Sequence, residues 1–258
     1  MSKATIYNDL YASKTITAKE FIVSNEKPYI MNFNKVLSIP ALFDNITLLT
    51  EHLIKNNNLE FTKICAASVS AIPYATNVAT SLEKGILYIL DSSNDKTEKD
   101  NIKGMTIEGG MNIDDKILLI ETVVGNDFHL NNIIQKIRKY GGEVVSLVIL
   151  FNQCEGEYVN IVSQNEKIIT VLNIYEIFNH LETNNMIELF YCERVKFYCE
   201  KVTKLNIKKL LESDKKEEIQ AVAEPVVAEP VVAEPIVAEP IVADAVVTEP
   251  VKEIFVSQ

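Results

Sequence analysis

The chain has 258 residues, of which 47% are hydrophobic and 24% charged, a composition typical of a soluble globular protein with one sizeable domain. Its net charge of −11 argues against nonspecific binding to nucleic acid or to an anionic membrane surface. The sequence shows no apolar run long enough to span a membrane, no secretory signal, no CxxC pair and no ligand-spaced histidines. We therefore expect a cytoplasmic protein with free thiols, no membrane or nucleic-acid partner and no metal site.

The N-terminal part of the chain predicts a short helix, a strand and a longer helix. Thr17 and Glu20 have the spacing of a capping box, which predicts that a helix begins there. Pro28–Phe33 predicts an extended strand, and Pro40–Asn56 predicts an amphipathic helix with proline in its first turn. The side of the longer helix that we expect to be buried carries Leu42, Ile46, Leu49, His52 and Leu53.

Short apolar runs alternate with segments of helical period from residue 61 onward. The predicted strands are Phe61–Ala67, Gly85–Leu90, Lys116–Glu121, Glu143–Phe151 and Lys167–Leu172. The predicted helices are Ile72–Lys84 (ended by Gly85), Phe128–Tyr140, Ile174–Glu182 and Met186–Lys204. This pattern predicts a parallel sheet covered on both faces, whose ligands bind at the carboxyl ends of the strands. The loops there are Ala66–Ala71, Asp91–Ile107, Thr122–His129 and Asn152–Tyr158.

The composition changes at about residue 213, which divides the chain into a domain over residues 1–212 and a tail over 213–258. The tail contains an acidic repeat of Val, Ala, Glu and Pro, with prolines five residues apart at Pro225, Pro230, Pro235 and Pro240. Proline at this spacing blocks continuous helix, so we expect a disordered, solvated tail of polyproline II character. The alternative is a multivalent docking strip for a protein partner.

Three stretches resemble a known family. Residues 107–125 read Ile-Glu-Gly-Gly-Met-Asn-Ile-Asp-Asp-Lys-Ile-Leu-Leu-Ile-Glu-Thr-Val-Val-Gly, and residues 140–150 read Tyr-Gly-Gly-Glu-Val-Val-Ser-Leu-Val-Ile-Leu. Both resemble the orotate phosphoribosyltransferase family, which includes one half of UMP synthase. Residues 65–76, Cys-Ala-Ala-Ser-Val-Ser-Ala-Ile-Pro-Tyr-Ala-Thr, are similar to the family's pyrophosphate loop and the helix after it. The resemblance covers residues 6–204 and implies an α/β fold, the type I phosphoribosyltransferase-like parallel sheet flanked by helices.

The resemblance also implies an activity, a glycosyltransferase reaction in pyrimidine biosynthesis. A nitrogen of orotate displaces pyrophosphate from the ribose of phosphoribosyl pyrophosphate, with Mg²⁺ as the cofactor and a homodimer as the active assembly. The site must hold a 5′-phosphate, the ribose hydroxyls, the pyrophosphate and the base. Positioning and charge stabilisation then supply the rate, and no nucleophilic side chain is needed.

The ribose and 5′-phosphate site departs from the family pattern. The family ends the strand with two adjacent acids, which contact the ribose hydroxyls, and then has a small glycine-rich turn for the phosphate. Here Glu121 keeps the first acid, and Thr122 replaces the second. The turn that follows contains Gly125, Asn126, Asp127, Phe128 and His129. We expect Asp127 to cap the next helix and so to place its carboxylate where the phosphate would bind. Two like charges ~4 Å apart repel by roughly 4 kcal/mol at an effective dielectric of about 20, which disfavours phosphate there. The alternative is an altered phosphate site that uses Asn126 and His129.

The other parts of the predicted site have also lost charge complementarity. The pyrophosphate loop offers backbone amides at Ala67, Ser68 and Val69. The family's basic loop over pyrophosphate has the candidates Lys96, Lys99 and Lys103, but four acids share this loop, and a solvated surface loop is the other interpretation. The family's Asp-Arg pair after the fourth strand is replaced by Asn152 and Gln153, so orotate loses an arginine partner.

These departures lead to two hypotheses. The first is a catalytically impaired protein, a pseudoenzyme that acts in binding or scaffolding. The second is a divergent, active orotate phosphoribosyltransferase in pyrimidine biosynthesis.

Overall fold

The computed structural model describes residues 2–20, 26–91, 105–124, 128–153 and 167–202. The described elements begin with helix α1 (Lys3–Ala12), strands β1 (Ile16–Ala18) and β2 (Tyr29–Met31), a 3-10 helix (Phe33–Ser38) and helix α2 (Pro40–Asn56). They continue with β3 (Lys63–Ala66), a 3-10 turn (Val69–Ala71), α3 (Ile72–Ser81), β4 (Gly85–Asp91), β5 (Met105–Glu108), β6 (Lys116–Val123), α4 (Phe128–Lys139), β7 (Glu143–Asn152) and β8 (Lys167–Asn173). The last described elements are α5 (Ile174–Thr183) and α6 (residues 189–202).

The main sheet has six strands in the order β5-β4-β3-β6-β7-β8. Strands β4, β3, β6, β7 and β8 run parallel, whereas β5 pairs antiparallel with β4 at one edge. Strand β6 lies inside the sheet and is buried from Ile117 to Thr122, which explains the apolar run from Ile117 to Ile120. Strands β1 and β2 form a separate antiparallel pair.

Each face of the sheet is covered by its own apolar core. Leu118 and Ile120 of β6 pack into the core that α1, α2, α3, α5 and α6 share. Ile117 and Leu119 point the opposite way and pack into the core with α4. Truncating a fully buried leucine to alanine lowers the free energy of unfolding by about 2–5 kcal/mol, and we expect a loss of that size for Leu118→Ala.

An ion pair lies at the amino end of the sheet. Lys63 Nζ is 2.8 Å from Asp115 Oδ2, and the same carboxylate accepts hydrogen bonds from the Thr62 hydroxyl at 2.9 Å and the Asn112 amide at 2.7 Å. Burial would raise the pKa of Asp115, but the hydrogen bonds from these three residues outweigh it and hold that pKa below its ordinary value. These groups therefore fix the start of β6.

Most predicted elements are confirmed, and α2 has the predicted bounds. The helix beginning at Thr17 is wrong, because Thr17 lies in β1 and pairs with Ile30 of β2. His52 is wrongly placed on the buried side of α2: it is exposed, and the buried side turns instead through Leu42 and Ile46 to Ile54.

The sheet departs from the prediction at two further points. Helix α3 ends at Ser81 and not at Lys84, and Glu83 takes up the left-handed backbone conformation (φ 54°) after it, whereas Gly85 begins β4 as predicted. Strand β5 lies partly inside the predicted loop of residues 91–107, so the sheet is mixed at that edge. The sequence patterns also do not predict α1 or β1. None of the helices in the described part of the chain is long and apolar enough to cross a membrane.

Candidate functional site

The carboxyl ends of β3 and β6 lie side by side, because Ala66 pairs with Ile120 in the parallel ladder. The loop after β3 carries Ser68, and the end of β6 carries Glu121 and Thr122. The predicted pyrophosphate loop and the predicted ribose acid are therefore adjacent, as expected for loops at the same edge of a parallel sheet.

Glu121 is buried and accepts hydrogen bonds from its own chain. Its Oε1 atom accepts from the Ser68 hydroxyl at 2.6 Å, from the Thr122 amide at 2.6 Å and from the Thr122 hydroxyl at 3.0 Å. Ser70 joins this set, with its hydroxyl oxygen 2.8 Å from that of Thr122 and 3.0 Å from that of Ser68. We call Ser68, Ser70, Glu121 and Thr122 the hydroxyl network. It places one carboxylate and three hydroxyls where the resemblance implies ribose and pyrophosphate.

The backbone of the predicted pyrophosphate loop is partly committed to the sheet. The Ala67 amide donates to the Ile120 carbonyl at 2.9 Å, so it is bonded within the sheet instead of facing a ligand. Ser68 contributes its hydroxyl to Glu121, and Val69 is 69% exposed. The structure thus brings these three predicted residues to the strand ends but uses the first of the three amides internally.

A second polar group lies at the end of β7. Gln153 is buried, and its backbone carbonyl oxygen accepts a hydrogen bond of 3.0 Å from the Tyr29 hydroxyl. The Lys27 ammonium donates to the Gln153 side-chain oxygen and lies 5.3 Å from the centre of the Tyr29 ring. We call Lys27, Tyr29 and Gln153 the β7-end cluster. It places a cation beside the position where the family has arginine.

Sequence reasoning missed Lys27 and Ser70. Lys27 is a lone lysine before Pro28, in no recognisable motif, and it meets Gln153 only because the chain folds back over 126 residues. Ser70 lies inside the quoted pyrophosphate-loop resemblance, but its contact with Thr122 depends on the packing of β3 against β6.

The other predicted site residues are only partly described. Phe128 and His129 begin α4, whose first turn follows β6, but the structure does not describe their side chains. The predictions for Gly125, Asn126, Asp127, Lys96, Lys99 and Lys103 lie outside the described residues, as does the tail. Arg138 is in the last turn of α4 and Arg194 on α6, so both arginines lie on helices as predicted.

Two of the described thiols, those of Cys65 and Cys192, are poor nucleophiles. Burial raises the pKa of Cys65 to about 12, and the thiolate form is therefore scarce at neutral pH. Burial, together with the charge of Glu182, also raises the pKa of Cys192. Within the described ranges, no group of three or more His, Cys, Asp or Glu side chains is placed to hold a metal ion.

The sheet flanked by helices is a phosphoribosyltransferase-type fold, and comparisons with solved structures agree. The UMP synthase of Leishmania donovani matches with a TM-score of 0.62 at 17% identity, over 78% of this chain and 43% of that one. The orotate phosphoribosyltransferase of Aeropyrum pernix matches with a TM-score of 0.58 at 14% identity, over 70% of this chain and 99% of that one. At such identities the likeness shows the fold.

The sequence comparisons are more specific. The orotate phosphoribosyltransferase of Pyrococcus horikoshii is 25% identical over 153 residues, which cover 59% of this chain and 80% of that protein. The uridine 5′-monophosphate synthase of Bos taurus is 24% identical over 194 residues, which cover 74% of this chain and 39% of that protein. No family model matches the chain. The chain is a divergent relative of the orotate phosphoribosyltransferase family, which confirms the resemblance.

Proposed function

We propose that this chain is an orotate phosphoribosyltransferase-like protein with impaired substrate sites, and that it acts by binding or scaffolding a partner. The hydroxyl network carries this proposal. The Oε1 atom of Glu121, the acid that the family uses to contact ribose, accepts three hydrogen bonds from its own chain. A ribose hydroxyl that bonds to this oxygen must displace Ser68 or Thr122.

Replacing a hydrogen bond from Ser68 or Thr122 by one from ribose adds little to the free energy of substrate binding. A hydrogen bond to a charged group contributes about 1.5–3 kcal/mol, and the ribose would gain one such bond while the protein loses another. The second family acid is Thr122 here, so no second carboxylate compensates the loss. Catalysis needs interactions that strengthen in the transition state, and a carboxylate oxygen that already has three donors in the resting protein, as Oε1 of Glu121 does, supplies few of them.

The Mg²⁺ ion that the resemblance implies would find a single carboxylate at the described ends of β3 and β6, and one oxygen of that carboxylate is already occupied. Mg²⁺ is usually bound through one or two carboxylates together with substrate phosphates. Among the described residues, the strand ends of β3 and β6 supply only the Glu121 carboxylate, and its Oε1 atom already has three donors. We therefore derive no step through a protein-held metal ion.

The second candidate function is an active orotate phosphoribosyltransferase in pyrimidine biosynthesis. It is favoured by the β7-end cluster, where Lys27 places a cation beside Gln153 and so offers a partner for the carboxylate of orotate. The relative from Pyrococcus horikoshii bears the same activity in its name. In this case Lys27 substitutes for the missing arginine as a point charge without the bidentate geometry.

Calorimetric titration with phosphoribosyl pyrophosphate and Mg²⁺ separates the two candidates. The impaired-site proposal expects no saturable binding up to about 1 mM, which corresponds to less than about 4 kcal/mol of binding free energy. Micromolar binding would overturn it and favour the active enzyme. Orotate turnover, followed by the loss of orotate absorbance, provides an independent readout.

A charge-removing variant tests why binding is weak. Asp127→Gly or Asp127→Asn removes the carboxylate that we expect to repel the phosphate, so the affinity for phosphoribosyl pyrophosphate should rise about tenfold or more. Asp44→Asn removes the same charge from an exposed position on α2 and is the matched control. Equal affinities for the Asp127 variants and the control would show that Asp127 is not the obstacle.

Partners and compartment complete the proposal. The resemblance implies a homodimer, and the repeats of the tail are the part of the sequence best suited to a protein partner. The described cysteines are free thiols, which suits a reducing, cytoplasmic compartment. Deleting residues 221–258 should leave the melting temperature unchanged, and a fall of several degrees would show that the tail supports the domain.

A further inference from the structure

An open groove of about 920 Å³ lies between strand β1 and the turns that follow α1 and α5. Its lining residues come from two stretches of the chain, 11–20 and 182–191. Ligand clefts span about 300–1,000 Å³, so this groove has room for a ligand of substantial size. No residue of the hydroxyl network or the β7-end cluster lines it, and it is therefore separate from the strand-end site.

Two helices end at this groove. Helix α1 ends at Ala12 and α5 at Thr183. The chain turns after each helix through a residue in the left-handed conformation, Lys14 (φ 55°) and Asn185 (φ 56°), and both of these residues line the groove. The carbonyl groups at a helix C-terminus carry a partial negative charge, so both helix ends favour a cationic ligand in the groove.

The charged side chains of the groove are mainly acidic. Glu20, Glu182 and Glu188 line it, with Lys14 as the cation. Among the described residues, none of the three carboxylates forms an ion pair or a side-chain hydrogen bond. Glu188 precedes α6, where a helix N-terminus favours an acid, but Glu182 lies in the last turn of α5, where the helix dipole disfavours one. A bound cation would remove this local conflict.

Strand β1 adds backbone groups to the groove. Its partner in the two-stranded sheet is β2, and the Asn32 amide donates to the Thr15 carbonyl at 2.9 Å. The Lys19 amide donates likewise to the Pro28 carbonyl at 3.0 Å. Since bonded positions alternate along an antiparallel pair, the amide and the carbonyl of Ala18 point away from β2. Ala18 lines the groove, and no described residue bonds to these two groups, so this edge of β1 is open to another extended chain.

We infer that the groove binds an extended peptide that carries lysine or arginine side chains, and that this peptide adds to the open edge of β1. Strand addition supplies main-chain hydrogen bonds, while alternate side chains of the peptide enter the groove. The cations lie against Glu20 and Glu182, and the half-buried rings of Tyr11 and Tyr191 offer cation–π contacts. A polyamine would satisfy the acids but has no carbonyl to accept from the Ala18 amide, so a peptide fits the groove better.

The groove also has an apolar part. Met186 is 37% exposed and Leu189 56% exposed, and both line the groove. Methionine adapts its shape to different partners, which suits contacts with apolar side chains of a peptide. We therefore expect the preferred peptide to alternate cationic and apolar residues.

Fluorescence anisotropy of the full chain with a labelled octapeptide of alternating valine and lysine tests the groove. At about 150 mM salt we expect saturable binding with a Kd below about 1 mM. An octapeptide of alternating valine and glutamate is the matched comparison, and a peptide of residues 226–235 represents the chain's own acidic tail. Both should bind at least about tenfold more weakly. No saturable binding of the valine–lysine peptide, or equal binding of an acidic one, would overturn the inference.

Glu182→Lys tests the charge of the groove. It should weaken binding of the valine–lysine peptide at least about fivefold, because it replaces an attraction by a repulsion. The variant should fold, since lysine is favoured in the last turn of a helix. The matched control Glu200→Lys makes the same change of charge at an exposed position on α6 outside the groove and should change the Kd by less than about twofold. Equal weakening by both variants would indicate diffuse attraction to an acidic chain and overturn the inference.

Ala18→Pro tests the open strand edge. Proline removes the outward amide but keeps the bonds to β2, because edge strands tolerate proline where the N–H faces away from the sheet. Peptide binding should weaken about fivefold, whereas Ala18→Ser keeps the amide and the affinity. A fully N-methylated valine–lysine peptide, which has no main-chain donors, should also bind about fivefold more weakly and leaves the protein unaltered. Unchanged affinity in both cases, with displacement of the peptide by spermine, would identify a polyamine site and overturn the inference.

The inference rests on the binding role proposed above and names the chemistry of the partner. The two are nevertheless tested separately, because the groove and the strand-end site share no residue. A valine–lysine peptide that fails to bind would refute the groove and leave the titration with phosphoribosyl pyrophosphate as it is. Micromolar binding of phosphoribosyl pyrophosphate would refute the impaired-site proposal and leave the peptide affinities as they are.

Discussion

Replacing Ser68 by alanine perturbs the hydroxyl network with the smallest change of shape. The variant loses the 2.6 Å hydrogen bond from the Ser68 hydroxyl to Glu121, and Ser70 loses its 3.0 Å neighbour. A hydrogen bond to a charged group contributes about 1.5–3 kcal/mol to stability. Ser68 is half-buried and Thr122 continues to donate to the carboxylate, so we expect the lower end, about 1.5 kcal/mol.

Urea denaturation at pH 7, followed by circular dichroism, measures this loss. The midpoint should fall while the slope of the free energy against urea stays constant, because the surface exposed on unfolding is unchanged. Ser38→Ala is the matched control, since it removes an exposed 2.7 Å bond to the Lys35 carbonyl and should change stability by less than about 0.5 kcal/mol. Equal losses for Ser68→Ala and Ser38→Ala would refute the view that the network holds Glu121.

Three further predictions concern the rest of the domain. The folded-state pKa of Asp115 lies below its unfolded value, so its contribution is present above about pH 4 and is lost as the pH falls through the folded pKa. Asp115→Asn should therefore cost about 1–2 kcal/mol at pH 7, and this difference should shrink in urea titrations at progressively lower pH. Cys65, fully buried, should resist iodoacetamide at pH 8 until urea unfolds the chain, and mass spectrometry showing rapid native labelling would contradict its burial. Gly109→Ala should be at least about 2 kcal/mol more destabilising than Gly110→Ala, because both have positive φ but only a Cβ at Gly109 would overlap the Ile86 carbonyl. Thermal melts of the pair provide the comparison, and equal melting temperatures would count against it.

The elements that could be predicted from sequence are those whose pattern is local and long. Helix α2 has a proline at its start and a sustained helical period, and β6 contains the apolar run Ile117–Ile120. The capping box at Thr17 failed because the pairing of β1 with β2, over a dozen residues away, overrode a local signal. Strand β5 has only four residues, of which Glu108 is exposed, so its membership of the sheet depends on β4.

The candidate site shows the same division. The neighbouring positions of Ser68 and Glu121 follow from parallel topology, which places the ends of β3 and β6 at one edge. The hydrogen bonds to the Oε1 atom of Glu121 could not be predicted from the topology, because the sequence does not indicate which rotamer a neighbouring serine or threonine side chain adopts. The contact of Lys27 could not be predicted for another reason. Its partner Gln153 is distant in the chain, and neither residue belongs to a motif.

The hydroxyl network has a consequence for how the crevice could receive a ligand. The hydrogens of Ser68 and Thr122 are both directed to the Oε1 atom of Glu121, yet Ser70 lies within bonding distance of both of these hydroxyls. Ser70 has a single hydrogen to share between two acceptors, so one of its two contacts always lacks a proton. Rotating that hydrogen outward breaks one neutral bond and leaves the carboxylate untouched. Of the three hydroxyls in the network, that of Ser70 can therefore be redirected toward a ligand acceptor with the smallest loss of hydrogen-bond energy.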